Sequence, residues 1–221
     1  MTLTLIFATW FQPEWRRCVD SWGHDFITVP NMNIVPAYQL AFEQCKSDIL
    51  GYMHDDLVCE EEGWKERVLA EFEDEKVALV GFAGAWGYCH SALKEFNPHA
   101  MGRVGFRSNL KNAEIHGARM TGSMNAVILD GLALFVRRSV LEELGGWPVG
   151  TDIDYFMYTE WLCCSVRRLG YKIRVVGVAC DHLGGRSTGM NPNLNPDWHK
   201  EHKAIYDEFY KDGTIPAKVN P

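Results

Sequence analysis

The chain has 221 residues, a length that suits one domain, and 47% hydrophobic against 23% charged residues is a globular balance that excludes wholesale disorder. A net charge of −7 argues against a protein whose main task is gripping nucleic acid or an anionic membrane. No apolar run reaches about 18 residues, the length that spans a bilayer; Met1-Thr2-Leu3-Thr4 lacks the basic start of a signal peptide; and the seven cysteines include no CxxC pair, so reduced thiols in a cytoplasmic protein are expected.

Leu3 to Thr9 is a short apolar, β-prone run, and Pro13 to Trp22 reads as a helix with proline in its first turn. Phe26 to Val29 is a second strand, stopped by Pro30-Asn31. Ile34 to Cys45 carries apolar residues at 34, 37, 38, 41, 42 and 45, the spacing of one helix face. A third strand, Ile49 to Met53, runs directly into His54-Asp55-Asp56. The helix Gly63 to Phe72 and the buried strand Val77 to Phe82 follow. Strand–helix alternation with short turns predicts an α/β fold, a mostly parallel central sheet with helices on both faces. Ligands of such sheets bind at the carboxyl ends of strands, which is where the acidic triplet sits.

Tyr88 to Asn125 has few strand signals, and five basic residues (Lys94, Arg103, Arg107, Lys111, Arg119) stand against two acidic ones (Glu95, Glu114). This segment is either a contact for a phosphate or an anionic acceptor, or a solvated excursion. Val127 to Asp130 and Leu132 to Val136 form a strand pair or one bent strand about Gly131. Ser139-Val140-Leu141-Glu142 has capping-box spacing, and Gly145-Gly146 closes the helix it opens. Thr159 is placed to cap a helix from Glu160 to Leu169. Lys172 to Ala179 is a strand running to Asp181-His182, and Pro196 to Tyr210 is an aromatic, charged helix packing back on the body.

Three constellations carry chemistry. His54, Asp55 and Asp56 at a strand end suit a divalent cation such as Mg or Mn, with a helix cap as the plainer alternative. His182 lies at another strand end, ahead of Gly184-Gly185-Arg186-Ser187-Thr188, where glycines let backbone N–H groups approach phosphate and Arg186 adds a fixed charge. Asp152 and Asp154 precede Tyr155, Tyr158 and Glu160. A helix N-terminus favours the ionised form of Glu160, and an ionised carboxylate facing a pocket takes a proton from an acceptor hydroxyl; helix-end electrostatics alone is the alternative. Gly81 to Gly87 is not a GxGxxG loop, and Glu60-Glu61-Glu62 reads as solvated surface.

Taken in order, four stretches resemble the GT-A nucleotide-sugar glycosyltransferases, family 2-like, from about Leu3 to Thr188. Asn33-Ile-Val-Pro-Ala-Tyr-Gln-Leu-Ala-Phe resembles the helix before the acidic motif. Ile49-Leu-Gly-Tyr-Met-His-Asp-Asp-Leu-Val resembles the strand ending in DxD. Leu129-Asp-Gly-Leu-Ala-Leu-Phe-Val-Arg-Arg-Ser-Val-Leu-Glu-Glu-Leu-Gly-Gly-Trp looks like the acceptor-side strand and helix. Tyr155-Phe-Met-Tyr-Thr-Glu-Trp-Leu-Cys-Cys-Ser-Val-Arg-Arg-Leu-Gly-Tyr-Lys-Ile, followed by Asp181-His182, looks like the catalytic helix and the late metal-binding histidine.

The resemblance implies one GT-A (Rossmann-like) domain: a nucleotide-sugar-binding half at 1–87, a basic insert at 88–125, an acceptor and catalytic half at 126–188 and a tail helix at 189–221. It implies a Mn or Mg ion held by His54, Asp56 and His182, with His54 standing where the first acid of DxD usually is. Ala8, Thr9, Asn31, Asp55 and Arg186 would bind a nucleoside-diphosphate sugar, a UDP sugar first among them. Asp130 matches an acid facing sugar or acceptor. Glu160 matches the Glu of a Glu-Asp pair whose Asp, the usual base, is Trp161 here, so Glu160 or Asp154 is the candidate base. The implied reaction is inverting displacement onto an acceptor hydroxyl, of a glycan or another molecule, a modified nucleobase in DNA included. The alternatives are a degenerate GT-A domain that binds without turnover, kept open by Trp161, and a nucleotidyltransferase, for which Phe7-Ala8-Thr9-Trp10 lacks glycine and basic residues.

Overall fold

The computed structural model describes residues 1–9, 14–89, 97–105, 118–119, 121–183 and 198–210. Three apolar runs, β1 (Leu3–Thr9), β2 (Phe26–Pro30) and β3 (Ile49–Met53), pair in parallel with β1 in the middle. The connections are α1 (Trp15–Asp20) and α2 (Ile34–Gln44), and α2 buries Val35, Ala37, Tyr38, Ala41 and Phe42 along one face. Next come β4 (Leu57–Cys59), α3 (Trp64–Glu71) and β5 (Val77–Gly81). Four strands follow, β6 (Gly84–Cys89), β7 (Asn97–Gly105), β8 (Ala118–Arg119) and β9 (Ser123–Ala126). After β10 (Ile128–Leu129) and β11 (Ala133–Arg137) come α4 (Arg138–Leu144) and α5 (Tyr158–Arg168). β12 (Lys172–Val176), β13 (Cys180–His182) and α6 (Trp198–Ile205) end the order, α6 running into a π-helical turn, Tyr206–Tyr210.

The central seven-stranded sheet has the order β2-β1-β3-β11-β5-β12-β9. β1, β2, β3, β5 and β12 run one way, and β9 and β11 run against them. Period-two alternation splits the core between its faces. Ile6, Leu50 and Tyr52 pack with α2, α4, α5 and the end of α6, whereas Leu5, Phe7, Ile49 and Met53 pack with α1 and α3. Gly51 lies where β1, β3 and β11 crowd: a Cβ there would sit 2.9 Å from both Leu5 Cδ2 and Phe135 Cε1.

Several elements differ from the sequence expectation. Asn97–Gly105 is a strand despite its weak signal, because β6 offers it an edge to pair with in a second sheet of order β10-β6-β7-β8. The segment around Gly131 is three strands, with β9 and β11 in the central sheet and β10 in the second. Ser139 is no cap: α4 begins a residue earlier, where the Arg138 guanidinium reaches the Phe42 and Cys45 carbonyls. Thr159 is no cap either, since α5 begins at Tyr158. The strand from Lys172 stops at Val176, and His182 belongs to β13, which pairs antiparallel with β4 outside the central sheet.

Candidate metal centre

β3 ends at Met53, and the chain turns at once, with His54 N–H donating to the Leu132 carbonyl at 3.0 Å. β4 then pairs with β13 in the register Leu57↔His182, Val58↔Asp181 and Cys59↔Cys180. Leu183 N–H closes the ladder on the Asp56 carbonyl at 2.9 Å. Glu61, expected to be solvated, braces the same pair: its carboxylate accepts from Ala179 N–H at 2.7 Å and meets Arg67. This register carries His182 across 126 residues to Asp56.

His54, Asp56 and His182 thus come together, each offering a ligand atom within 4.8 Å of the others. His182 Nε2 lies 3.2 Å from Asp56 Oδ1, and His54 Nδ1 lies 3.5 Å from His182 Nε2 and 3.9 Å from Asp56 Oδ1. Asp56 is 6% exposed, and its Oδ1 is buried without an aligned hydrogen bond, so the 3.2 Å approach is an ionic contact. A buried carboxylate oxygen left over between two imidazoles fits a divalent ion, which takes such ligands together. Burial disfavours the Asp56 anion, but the two histidines outweigh it and lower its pKa. Burial also opposes the charged form of His182, yet Asp56 prevails and raises its pKa; burial wins at His54, whose pKa falls.

Asp55 points away from this cluster and accepts from the Thr9 hydroxyl at the end of β1. Burial raises its pKa, with the Thr9 hydrogen bond working against the rise. Asn31 follows β2 in the left-handed region, φ 59°, and donates its N–H to the Thr9 carbonyl at 3.1 Å. Ala8, Thr9, Asn31 and Asp55 therefore share one end of the sheet. Arg186 lies outside the described residues.

The carboxylates divide. Asp130 is half-buried, its Oδ1 accepting from Leu132 N–H at 3.2 Å, and its charge acts on His54, Tyr158 and Glu160. Glu160 is 5% exposed, with Oε2 unpartnered. An ionised Glu160 was the expectation from its helix start. Burial, reinforced by Asp130 and Glu201, instead pushes its pKa up to about 8. Asp154 accepts from Asn33 Nδ2 at 2.6 Å and lines a cavity of about 370 Å³ with Val35, Ile153, Lys200 and Glu201, none of them in the metal cluster. Trp161 is core, beside Trp147 with ring centroids 6.1 Å apart.

Two contributors escaped the sequence reading. Glu201 of α6 is 2% exposed, and its carboxylate accepts from the N–H groups of Tyr155, Phe156 and Met157 at 2.8 to 3.2 Å, supplying the cap that α5 lacks. Only its place in the tail helix was readable. Tyr158 puts its hydroxyl 3.4 Å from His54 Nε2 and 3.4 Å from the Gly131 carbonyl.

A family described as glycosyltransferase-like matches residues 21–214. No curated protein sequence matches the chain significantly. Among solved structures, A197 from STIV is similar at 11% identity and a TM-score of 0.54, over 84% of this chain and 87% of that one. The mannosyltransferase PcManGT from Pyrobaculum calidifontis, in complex with GDP-Man and Mn2+, is similar at 13% identity and a TM-score of 0.52, over 84% of this chain and 58% of that one. GalNAc-T7 with UDP, GalNAc and Mn2+ is similar at 10% identity and a TM-score of 0.59, over 96% of this chain and 49% of that one. The chain thus spans about half the length of these two enzymes, and the likenesses concern the fold.

Proposed function

The chain belongs to the glycosyltransferase-like family and has a GT-A fold, and from that premise we propose that it moves a sugar from a nucleoside-diphosphate sugar to an acceptor hydroxyl, with inversion. The observation that carries this reading is the buried, incompletely paired Asp56 carboxylate between His54 and His182, at the end of the sheet where such folds bind ligands. A divalent ion bound by these three residues would neutralise charge on the leaving diphosphate. Thr9 fixes the Asp55 carboxylate, and with Ala8 and Asn31 they form the nucleoside side, a uridine nucleotide being the proposed donor; Arg186 is assigned to the diphosphate. Asp130 faces the transferred sugar. Glu160 takes the acceptor proton: with its pKa pushed up to about 8 it is a strong base once ionised, and activity should rise with pH up to that value. Asp154, tied to Asn33 in its own cavity, is the second candidate base.

A glycan or another hydroxyl compound is the proposed acceptor, a modified nucleobase in DNA being the variant that the basic 88–125 segment would serve. A cytoplasmic location is proposed from the sequence, whose seven cysteines include no CxxC pair. No helix among the described residues is long and apolar enough to cross a membrane. One rival reading, binding without turnover, draws on a buried Trp161 and a Glu160 that is mostly neutral at pH 7. Incubating the chain with UDP sugars, Mn2+ and an acceptor panel decides between them. Nucleotide release and product formation are expected; tight donor binding with neither would favour the rival.

A further inference from the structure

β4 and β13 pair outside the central sheet, and their register sets Cys59 opposite Cys180. Among the described cysteines, these are the two that a strand ladder places face to face. The hydrogen bonds tell which kind of pair they form. Glu60 N–H donates to the Ala179 carbonyl at 3.0 Å and Leu183 N–H to the Asp56 carbonyl at 2.9 Å, and both couples continue the same register. Antiparallel couples alternate between hydrogen-bonded and non-hydrogen-bonded, so Val58↔Asp181 is of the first kind, and Leu57↔His182 and Cys59↔Cys180 are of the second. Bonds leading off the ladder agree: Cys59 N–H donates to Ser21 Oγ at 2.9 Å, and the Leu57 carbonyl accepts from Trp22 Nε1 at 3.0 Å.

Residues of a non-hydrogen-bonded couple stand about 4.5 Å apart at Cα with their side chains on one face, inside the roughly 4.4 to 6.8 Å that a disulfide spans. Both cysteines are free thiols. Cys180 is 2% exposed and packs in the core with Leu57 and Val178. Cys59 is half-buried at the edge of that core, its thiol donating to the Glu61 carbonyl at 3.3 Å. A small oxidant therefore meets Cys59 before Cys180. Burial raises the pKa of both thiols, which makes exchange slow and keeps the couple reduced in a reducing compartment.

We propose that Cys59 and Cys180 are a redox modification site, which a small-molecule disulfide converts to a cross-strand disulfide that braces β4 against β13. Cys59 Sγ gives up its proton and attacks one sulfur of the small disulfide, releasing the first small thiolate. Cys180 Sγ gives up its proton and displaces the second from Cys59. The two protons end on the two released thiols, and the two electrons lost by the cysteines reduce the small disulfide. Leu57↔His182 is the next couple on the same face, so the link also holds the His182 strand beside Asp56.

Incubating the native full chain with oxidised glutathione, followed by peptide mapping without reductant, tests the site. A Cys59–Cys180 crosslink with loss of two hydrogens is expected, reversed by dithiothreitol and absent from Cys59→Ser. In Cys180→Ala, Cys59 should instead retain glutathione. The unfolding midpoint of the oxidised wild type should rise by ~5 °C or more, because the link closes a loop of over a hundred residues, and that of Cys59→Ser should not move. The Leu183 amide should exchange more slowly with solvent once the link is made. Neither readout involves a metal or a sugar. Wild-type protein left unmodified, carrying glutathione on Cys59 without the crosslink, or linking either cysteine elsewhere would overturn the site. A crosslink that leaves both the midpoint and Leu183 exchange unchanged would overturn the brace.

Discussion

Replacing Glu160 with glutamine should change the pH dependence of stability as well as turnover. Its pKa rises from the ordinary 4.5 to about 8, through burial first and then through Asp130 and Glu201. A folded-state pKa above the unfolded value means the native state holds the proton more tightly. The contribution is complete below pH 4.5, shrinks as pH rises toward about 8 and is flat above. At pH 7 the unfolded chain is about 2.5 units above its ordinary value of 4.5, and at ~1.36 kcal/mol per unit the native state has lost about 3 kcal/mol of stability. Glutamine cannot ionise, so Glu160→Gln should lack this loss. Urea unfolding of both proteins from pH 5 to 9 reads the effect, because the substitution removes this one ionisable group. Their stability difference should grow in the variant's favour up to pH 8, while transfer falls by ~10²-fold or more if Glu160 is the base. Parallel stability curves would refute the buried, neutral carboxylate, and full turnover in the variant would refute its role.

Other perturbations test the surrounding frame. Asp56→Ala and His182→Ala should each abolish Mn2+-dependent binding of UDP in calorimetry while circular dichroism stays native. Glu201→Ala leaves the N–H groups of residues 155–157 without their charged acceptor and should destabilise the chain by ~1.5–3 kcal/mol in urea melts. Thr9→Val removes the hydroxyl that fixes Asp55 and should weaken donor binding without altering metal binding, as separate titrations with UDP and with Mn2+ would show.

The parallel core and the strand end bearing His54-Asp55-Asp56 were legible because each rests on local signals: apolar runs of strand length, a helical period and an acidic triplet directly after a strand. The caps were not. Ser139 and Thr159 have the right residue type, but Arg138 anchors α4 from the side and Glu201 caps α5 from the tail, and neither long-range contact leaves a local mark. The charge state of Glu160 was misjudged for a reason of magnitude. A helix N-terminus is worth ~0.3–1 kcal/mol to an anion, and burial that moves the pKa to about 8 costs several times that. Trp161, which the resemblance sets where the base is expected, is buried beside Trp147 instead.

The proposed metal centre is also a joint between distant parts of the chain. His54 and Asp56 follow β3, whereas His182 reaches them only when two three-residue strands, β4 and β13, pair across more than a hundred residues. Such short strands gain little from their own ladder, and an unfolded chain cannot hold the three ligands at once. A bound ion should therefore stabilise the native state by linkage, by about 2.7 kcal/mol at a free concentration one hundred times its dissociation constant. Thermal unfolding with increasing Mn2+ should show a rising midpoint in the wild type and none in Asp56→Ala. Glu61→Gln, which weakens the brace on Ala179 without touching a ligand, should lower the starting midpoint yet keep the Mn2+-dependent rise. A wild-type midpoint unmoved by saturating Mn2+ would mean that the three side chains meet without forming a site, and that the Asp56–His182 contact alone joins the two ends.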